Sequence, residues 1–280
     1  MELQSFEVRF SLANEKQPEM SFLMNADQAR PPSKILLFSE IRAGHELATF
    51  FAAVPWLRTL PRGDGHPVLV IPGLAAADDS TRALRGFLRD HGYAAHGWKL
   101  GRNNGLQPGS QDRQLERLQE IRQRYGRKVS LIGWSLGGIF ARELAKHSPK
   151  DVRQVITLGS PLRGNPKASN AWQLYEALSG HTVEEVRARV NSDPPAVPMT
   201  AIFSRTDGIV AWQCSMQATG VNTESVEVQG SHCGLGHLPA AIYVIADRLA
   251  QAEGTWKPFD RSGLRSLVYP DPWRDFRAPS

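Results

Sequence analysis

A chain of 280 residues, 41% apolar and 22% charged, is long enough to bury the core of one large α/β domain or two small ones, and too apolar for wholesale disorder. Its net charge of +5 comes from scattered basic residues with no Lys/Arg block, zinc spacing or RNA-binding signature. That argues against a nucleic-acid partner and leaves only mild attraction to anionic surfaces. The two cysteines, Cys214 and Cys233, form no CxxC pair and cannot make a disulfide framework.

The start, MELQSFEVRF, has no basic segment followed by an apolar one, and no 18-residue stretch lacks charge. The expectation is a cytoplasmic enzyme without a signal peptide or transmembrane helix. Residues 1–34 read as a polar, loosely ordered arm with a short strand in FEVRF. In residues 35–60, Ser39, Arg42, Glu46 and Thr49 recur at helical spacing and leave a wide apolar face. That pattern fits a helix packed on the domain, or one presented to a membrane surface or a second copy.

From residue 61 the pattern alternates. VLVI at 68–71, stopped by Pro72-Gly73, suits a buried parallel strand. Helices are predicted at 78–91 and 110–125, around a weaker strand at 93–98. KVSLIG is a strand and LGGIFARELAKH a helix; DVRQVITLGSP is a strand ending in a turn. PMTAIFS (198–204) and ESVEVQ (224–229) are the last strands, and 238–251 the closing helix. Strand and helix in alternation imply an α/β fold, a mostly parallel sheet of about six strands with helices on both faces. Two parts break the rhythm. Residues 162–197 are a long insertion with helical material, of the kind that forms a lid. The tail 255–280 is rich in proline and aromatics and reads as an extended strap. The α/β core thus spans 61–254.

The centre of the chain reads GWSLGG. A short glycine–serine pattern carries little alone, but here an apolar strand precedes it and a helix follows at once. Such a turn strains the serine backbone, requires small neighbours, and lifts Ser135 Oγ clear of the sheet. The amide of Leu136 then stands at a helix N-terminus, where a developing oxyanion is stabilised. A serine hydroxyl needs a base to become a nucleophile. Asp207 stands just past the strand PMTAIFS, and His232 just past ESVEVQ. In a parallel sheet those strand ends share an edge, so Ser135, Asp207 and His232 can converge. Asp193, inside the insertion, and His237, five residues beyond His232, are weaker alternatives for acid and base; His237 is also a candidate pocket residue.

Four segments, IPGL (71–74), GWSLGG (133–138), TLGSPLRG (157–164) and the pair SRTDGIV with GSHCGLG, follow the order seen in the α/β-hydrolase superfamily. Within it the chain resembles the bacterial lipases and esterases. The resemblance covers roughly residues 67–252. It implies a serine hydrolase that cleaves carboxylic esters through a Ser135–His232–Asp207 triad and an acyl-enzyme, without metal or organic cofactor. It also implies a second oxyanion donor at the Leu74 amide, although Pro72 stands where the family usually has histidine. Trp134, Trp172, Tyr175 and His237 are the candidate substrate-binding residues, for a small-molecule or lipid ester. An acyltransferase or thioesterase would use the same triad, and a non-catalytic binding module would need none of it. A Cys214–Cys233 disulfide would tie the acid loop to the histidine loop.

Overall fold

A computed structural model of the chain describes residues 25–190, 192–218 and 220–276. The strand proposed in FEVRF, most of the N-terminal arm and the last four residues lie outside them. Six parallel strands form one sheet: β1 (Pro67–Ile71), β2 (Ala94–Gly97), β3 (Val129–Trp134), β4 (Val152–Leu158), β5 (Met199–Ser204) and β6 (Thr223–Val228), in the order β2-β1-β3-β4-β5-β6. The mostly parallel sheet of about six strands expected from the strand–helix alternation is therefore present.

In chain order the helices are α1 (Lys34–Phe38), α2 (Ala43–Leu57), α3 (Arg82–Asp90), α4 (Ser110–Tyr125), α5 (Leu136–His147), α6 (Trp172–Ser179), α7 (Val183–Arg189), α8 (Trp212–Ser215) and α9 (Pro239–Ala250). The period of two in each strand divides the core. Val68 and Val70 of β1, with Ile132, Ile156, Ile202 and Val226, pack on one side against Phe50 and Leu57 of α2, Leu88 of α3 and Ile245 of α9. Leu69, Ile71, Leu131, Val155 and Met199 face the other side, against Leu118 of α4 and Phe140 and Leu144 of α5. Both faces are covered, which is why the strands read as unbroken apolar runs.

The sequence predicts one helix over 35–60. The structure has two, α1 and α2, joined by a 3-10 turn at Ser39–Arg42. The segment's apolar residues divide, with Phe50 and Leu57 packed on the domain and others facing outward. Glu46 is buried, whereas Ile35, Phe38, Ile41, Phe51 and Trp56 are exposed, Ile41 by 89%. The segment turns part of its polar stripe inward because it covers loop backbone at the strand ends, and unpaired amides there need acceptors more than they need apolar contact. None of the described helices is long and apolar enough to cross a membrane. The tail forms a strap with a short 3-10 turn at Gly263–Leu267. It is pinned by burial of Phe259, Tyr269 and Phe276, and by the Phe259 amide donating to Glu224 Oε2 at 2.7 Å.

Candidate active site

Strand β3 runs into α5 through a single residue, Ser135, held at φ 53° and ψ −122°. A non-glycine residue in that region carries strain of about 1–3 kcal/mol, sustained only when the surroundings dictate it. They do so here. A Cβ on Gly133 would lie 2.3 Å from the Gly137 carbonyl oxygen, and one on Gly137 would lie 2.4 Å from the Ile71 carbonyl oxygen. Strand and helix therefore cross closer than any side chain permits. Ser135 occupies the N-cap position of α5, yet its side chain makes no capping hydrogen bond. The hydroxyl is not consumed by the fold.

Asp207 follows β5 and His232 follows β6, so both lie at the C-terminal edge of the sheet with Ser135. They are joined by a hydrogen bond of 2.7 Å between His232 Nδ1 and Asp207 Oδ2, with the aspartate side chain 1% exposed and the histidine 7%. The other oxygen, Asp207 Oδ1, accepts the amides of Ile209 and Val210, both at 2.8 Å. The acid thus caps its own loop, as short acidic side chains do in turns. Burial opposes charge on the His232 ring, but the charge and hydrogen bond of Asp207, helped by the charge of Glu40, outweigh it and lift its pKa above the ordinary imidazole value. With Nδ1 directed at Asp207, Nε2 is the ring nitrogen that makes no hydrogen bond among the described residues. No hydrogen bond joins Ser135 Oγ to His232 in this structure; the two belong to adjoining loops that close in through Leu158 and Gly159. The Ser135 amide donates to the Leu158 carbonyl at 2.8 Å. A Cβ on Gly159 would lie 3.0 Å from both Asp207 Oδ2 and His232 Nδ1.

Leu74 and Leu136 both line a cleft with Ser135. Leu136 opens α5, so its amide has no intrahelical partner. The Leu74 amide has no acceptor among the described residues. Its loop is fixed by Asn103, which is fully buried. Asn103 donates through Nδ2 to the Pro72 carbonyl at 2.8 Å, while its backbone exchanges hydrogen bonds with Ala75 and Ala76 at 2.7 and 2.8 Å. The Pro72-Gly73 turn is thus anchored by a residue on another loop. Nothing in the RNNG stretch distinguishes Asn103 from an ordinary turn residue, so the sequence does not reveal it.

The cleft holds about 760 Å³ of space, part of it open to solvent, and is lined mainly by apolar side chains. Trp172, Tyr175, Val183 and Val186, from the insertion, form one wall. Two of the four candidate substrate residues therefore stand in the cleft, and two do not. Trp134 packs on the opposite side of the sheet, where its indole Nε1 donates to the His232 carbonyl at 3.0 Å. A side chain leaving a strand one residue before the nucleophile points to the other face, which is why Trp134 supports the histidine loop instead of facing substrate. His237 lies beside it, edge-on to the indole at 6.3 Å, with Nε2 at 3.0 Å from the Ala43 carbonyl oxygen. Asp193 sits outside this arrangement, at a separate depression with Arg163 and Arg187.

Both cysteines are free thiols. The disulfide between the acid and histidine loops does not form; Cys214 is buried and directs Sγ at the Ala26 carbonyl, 3.7 Å away. The loops are tied instead by two acids of the N-terminal segment, whose role at the site the sequence does not disclose. Glu40 accepts hydrogen bonds from the backbone of both loops, and Glu46 from that of the histidine loop. The sequence signal that marks them is indirect. Gly208 and Gly234 stand in the two loops, and a Cβ on either would strike the N-terminal segment, at Leu36 and Glu46 respectively.

A hydrogen-bonded Asp–His–Ser chain occurs at the opposite edge of the sheet. His66 contacts Asp64 Oδ1 at 2.5 Å and Ser130 Oγ at 2.9 Å. His66 and Ser130 are fully buried and line none of the clefts described, so this chain is a packing network. Among the described residues no three His, Cys, Asp or Glu side chains cluster as a metal site requires.

A model of the palmitoyl protein thioesterase family matches residues 67–206. The match includes Leu74, Ser135 and Leu136 and stops one residue before Asp207. No curated protein matches the chain. Among solved structures, the mature form of a Bacillus licheniformis lipase superposes with a TM-score of 0.50 at 17% identity, over 68% of this chain and 92% of that one. Aspergillus fumigatus lipase B superposes with a TM-score of 0.53 at 18% identity, over 76% of this chain and 56% of that one. At such identities the likeness is one of fold.

Proposed function

The chain belongs to the palmitoyl protein thioesterase family of α/β-hydrolases, and within that hydrolase class we propose that it cleaves carboxylic esters of apolar acyl groups through a Ser135 acyl-enzyme. The observation that carries this reading is the buried 2.7 Å hydrogen bond between His232 and Asp207, at the sheet edge where a strained turn raises an uncommitted Ser135 hydroxyl. His232 Nε2 takes the Ser135 proton as Oγ attacks the carbonyl carbon. Asp207 fixes the tautomer and offsets the charge of the imidazolium. The amides of Leu136 and Leu74 receive the oxyanion. As the tetrahedral adduct collapses, His232 gives the proton to the leaving group; it then activates water against the acyl-enzyme.

The apolar wall of Trp172 and Tyr175 supports an acyl chain of some length in the cleft. A second reading, thioester cleavage by the same groups, is favoured by the family match itself. Matched p-nitrophenyl esters and acyl thioesters from two to sixteen carbons separate the readings. The proposal expects kcat/KM for esters to rise with chain length and to exceed that for thioesters. A reversed preference assigns the thioester, and inactivity on both series rejects the proposal.

A further inference from the structure

Residues 34–57 lie outside the family match, yet they reach the centre of the candidate site. Glu40 sits on the 3-10 turn between α1 and α2. Its Oε1 accepts the Gly208 amide at 2.7 Å and the His232 amide at 2.9 Å, and its Oε2 accepts the Cys233 amide at 2.8 Å. One carboxylate therefore spans the residue after Asp207, His232 itself, and the residue after His232. Two neighbours complete the clamp. Glu46 Oε1 accepts the Ser231 amide at 2.8 Å and Oε2 accepts its hydroxyl. Arg42 Nη2 donates to the Thr206 carbonyl at 2.5 Å and to its hydroxyl at 3.0 Å.

We propose that Glu40 is a positioning residue, whose carboxylate sets the acid loop and the histidine loop in register and thereby fixes the His232 ring against Asp207. This rests on the serine-hydrolase reading above. Three charge-assisted hydrogen bonds to one side chain cannot be replaced by water without loosening both loops at once. A 3-10 turn is the local device that makes the reach possible: Ser39 Oγ donates to the Leu36 carbonyl at 2.7 Å and the segment tightens where Glu40 departs inward. The loops also bond each other, through Ser204 Oγ to the Gly230 carbonyl at 2.7 Å, so Glu40 is not their sole tie and acts on their fine adjustment.

Position and charge act together. The groups that face His232 are Asp207 from the β5 loop, Glu40 from the 3-10 turn and Cys233 beside it, with Arg42, Glu46 and His237 one contact further out. The charge of Glu40 favours the imidazolium, so removing it lowers the pKa of His232.

The test uses the full chain. A fluorophosphonate probe and a p-nitrophenyl ester report serine reactivity and turnover for wild type, Glu40→Gln, Glu40→Ala and Ser135→Ala. Glu40→Ala is expected to lower kcat and the labelling rate by about tenfold or more, with KM changed less than about twofold because Glu40 does not line the cleft. Glu40→Gln keeps the Oε1 acceptor and is expected to recover most of that rate, while the acid limb of its kcat/KM profile moves down by about half a pH unit or more. Wild-type rates and an unshifted limb in folded Glu40→Gln overturn the inference, and do so even if Glu40→Ala fails to fold. A wild type that is not labelled at Ser135 overturns the hydrolase reading and this inference with it. A wild type that labels normally beside an indifferent Glu40→Gln leaves the hydrolase reading standing alone.

Discussion

Replacing Gly159 with alanine separates catalytic geometry from stability. The residue has φ 56°, a conformation that costs an L side chain about 1 kcal/mol. Its new Cβ would also meet Leu235 Cδ1 at 2.8 Å and both members of the His232–Asp207 pair at 3.0 Å. Relief requires movements of a few tenths of an ångström in a hydrogen bond only 2.7 Å long. Gly126 supplies the control: its φ is 63°, and no atom lies within 4 Å of its Cβ position. Gly126→Ala therefore carries the backbone strain alone. It is expected to lose about 1 kcal/mol, or about 2–4 °C in Tm, with kcat unchanged. Gly159→Ala is expected to lose at least as much stability and, in addition, about tenfold or more in kcat, equivalent to about 1.4 kcal/mol of transition-state stabilisation. Urea unfolding and ester turnover on the two purified variants measure both quantities. If Gly159→Ala behaves like Gly126→Ala, with full kcat, then His232 and Asp207 are not the catalytic pair.

Two further outcomes are expected, one at the histidine loop and one at the opposite edge of the sheet. Trp134→Phe keeps an aromatic ring behind the histidine loop but removes the 3.0 Å bond to the His232 carbonyl, so kcat should fall about fivefold, in line with a bond worth about 1 kcal/mol, with KM unchanged; a rise in KM instead would put the indole in the cleft. His66 provides the pH dependence of stability: burial, with the charges of Arg153 and Arg127 and against the pull of Asp64, lowers its pKa from 6.5 to about 4. Between those values the unfolded chain binds a proton that the folded chain refuses. Stability present above pH 6.5 is thus lost as pH falls towards about 4, by about 3 kcal/mol from this group. Urea midpoints of wild type and His66→Asn across that window should converge at low pH, and a constant difference would contradict the assignment.

The positions of Ser135, Asp207 and His232 are legible in the sequence because each directly follows an apolar strand, and parallel strands end together. Side-chain direction is less legible. Trp134 has the composition of a pocket residue, but the alternation along β3 sends it to the face opposite the cleft, towards a carbonyl 98 residues away. Glu40 and Glu46 are hidden for a related reason. Helical spacing shows that one stripe is polar and another apolar, but not which stripe meets the protein. Phe50 and Leu57 meet the apolar core, but the earlier part of the segment covers loop amides, so the acids go inward there and Ile35, Phe38 and Ile41 stay outside. Asn103 is hidden because its partners belong to a loop fixed only by the tertiary fold.

The central claim is that Ser135 is a nucleophile activated by the His232–Asp207 pair. Mass spectrometry of the protein treated with a fluorophosphonate tests it most directly. The account predicts a single stoichiometric adduct on the peptide carrying GWSLGG, absent from Ser135→Ala and slowed strongly in His232→Ala. No adduct on the folded native protein, or equal labelling of Ser135→Ala, would contradict it.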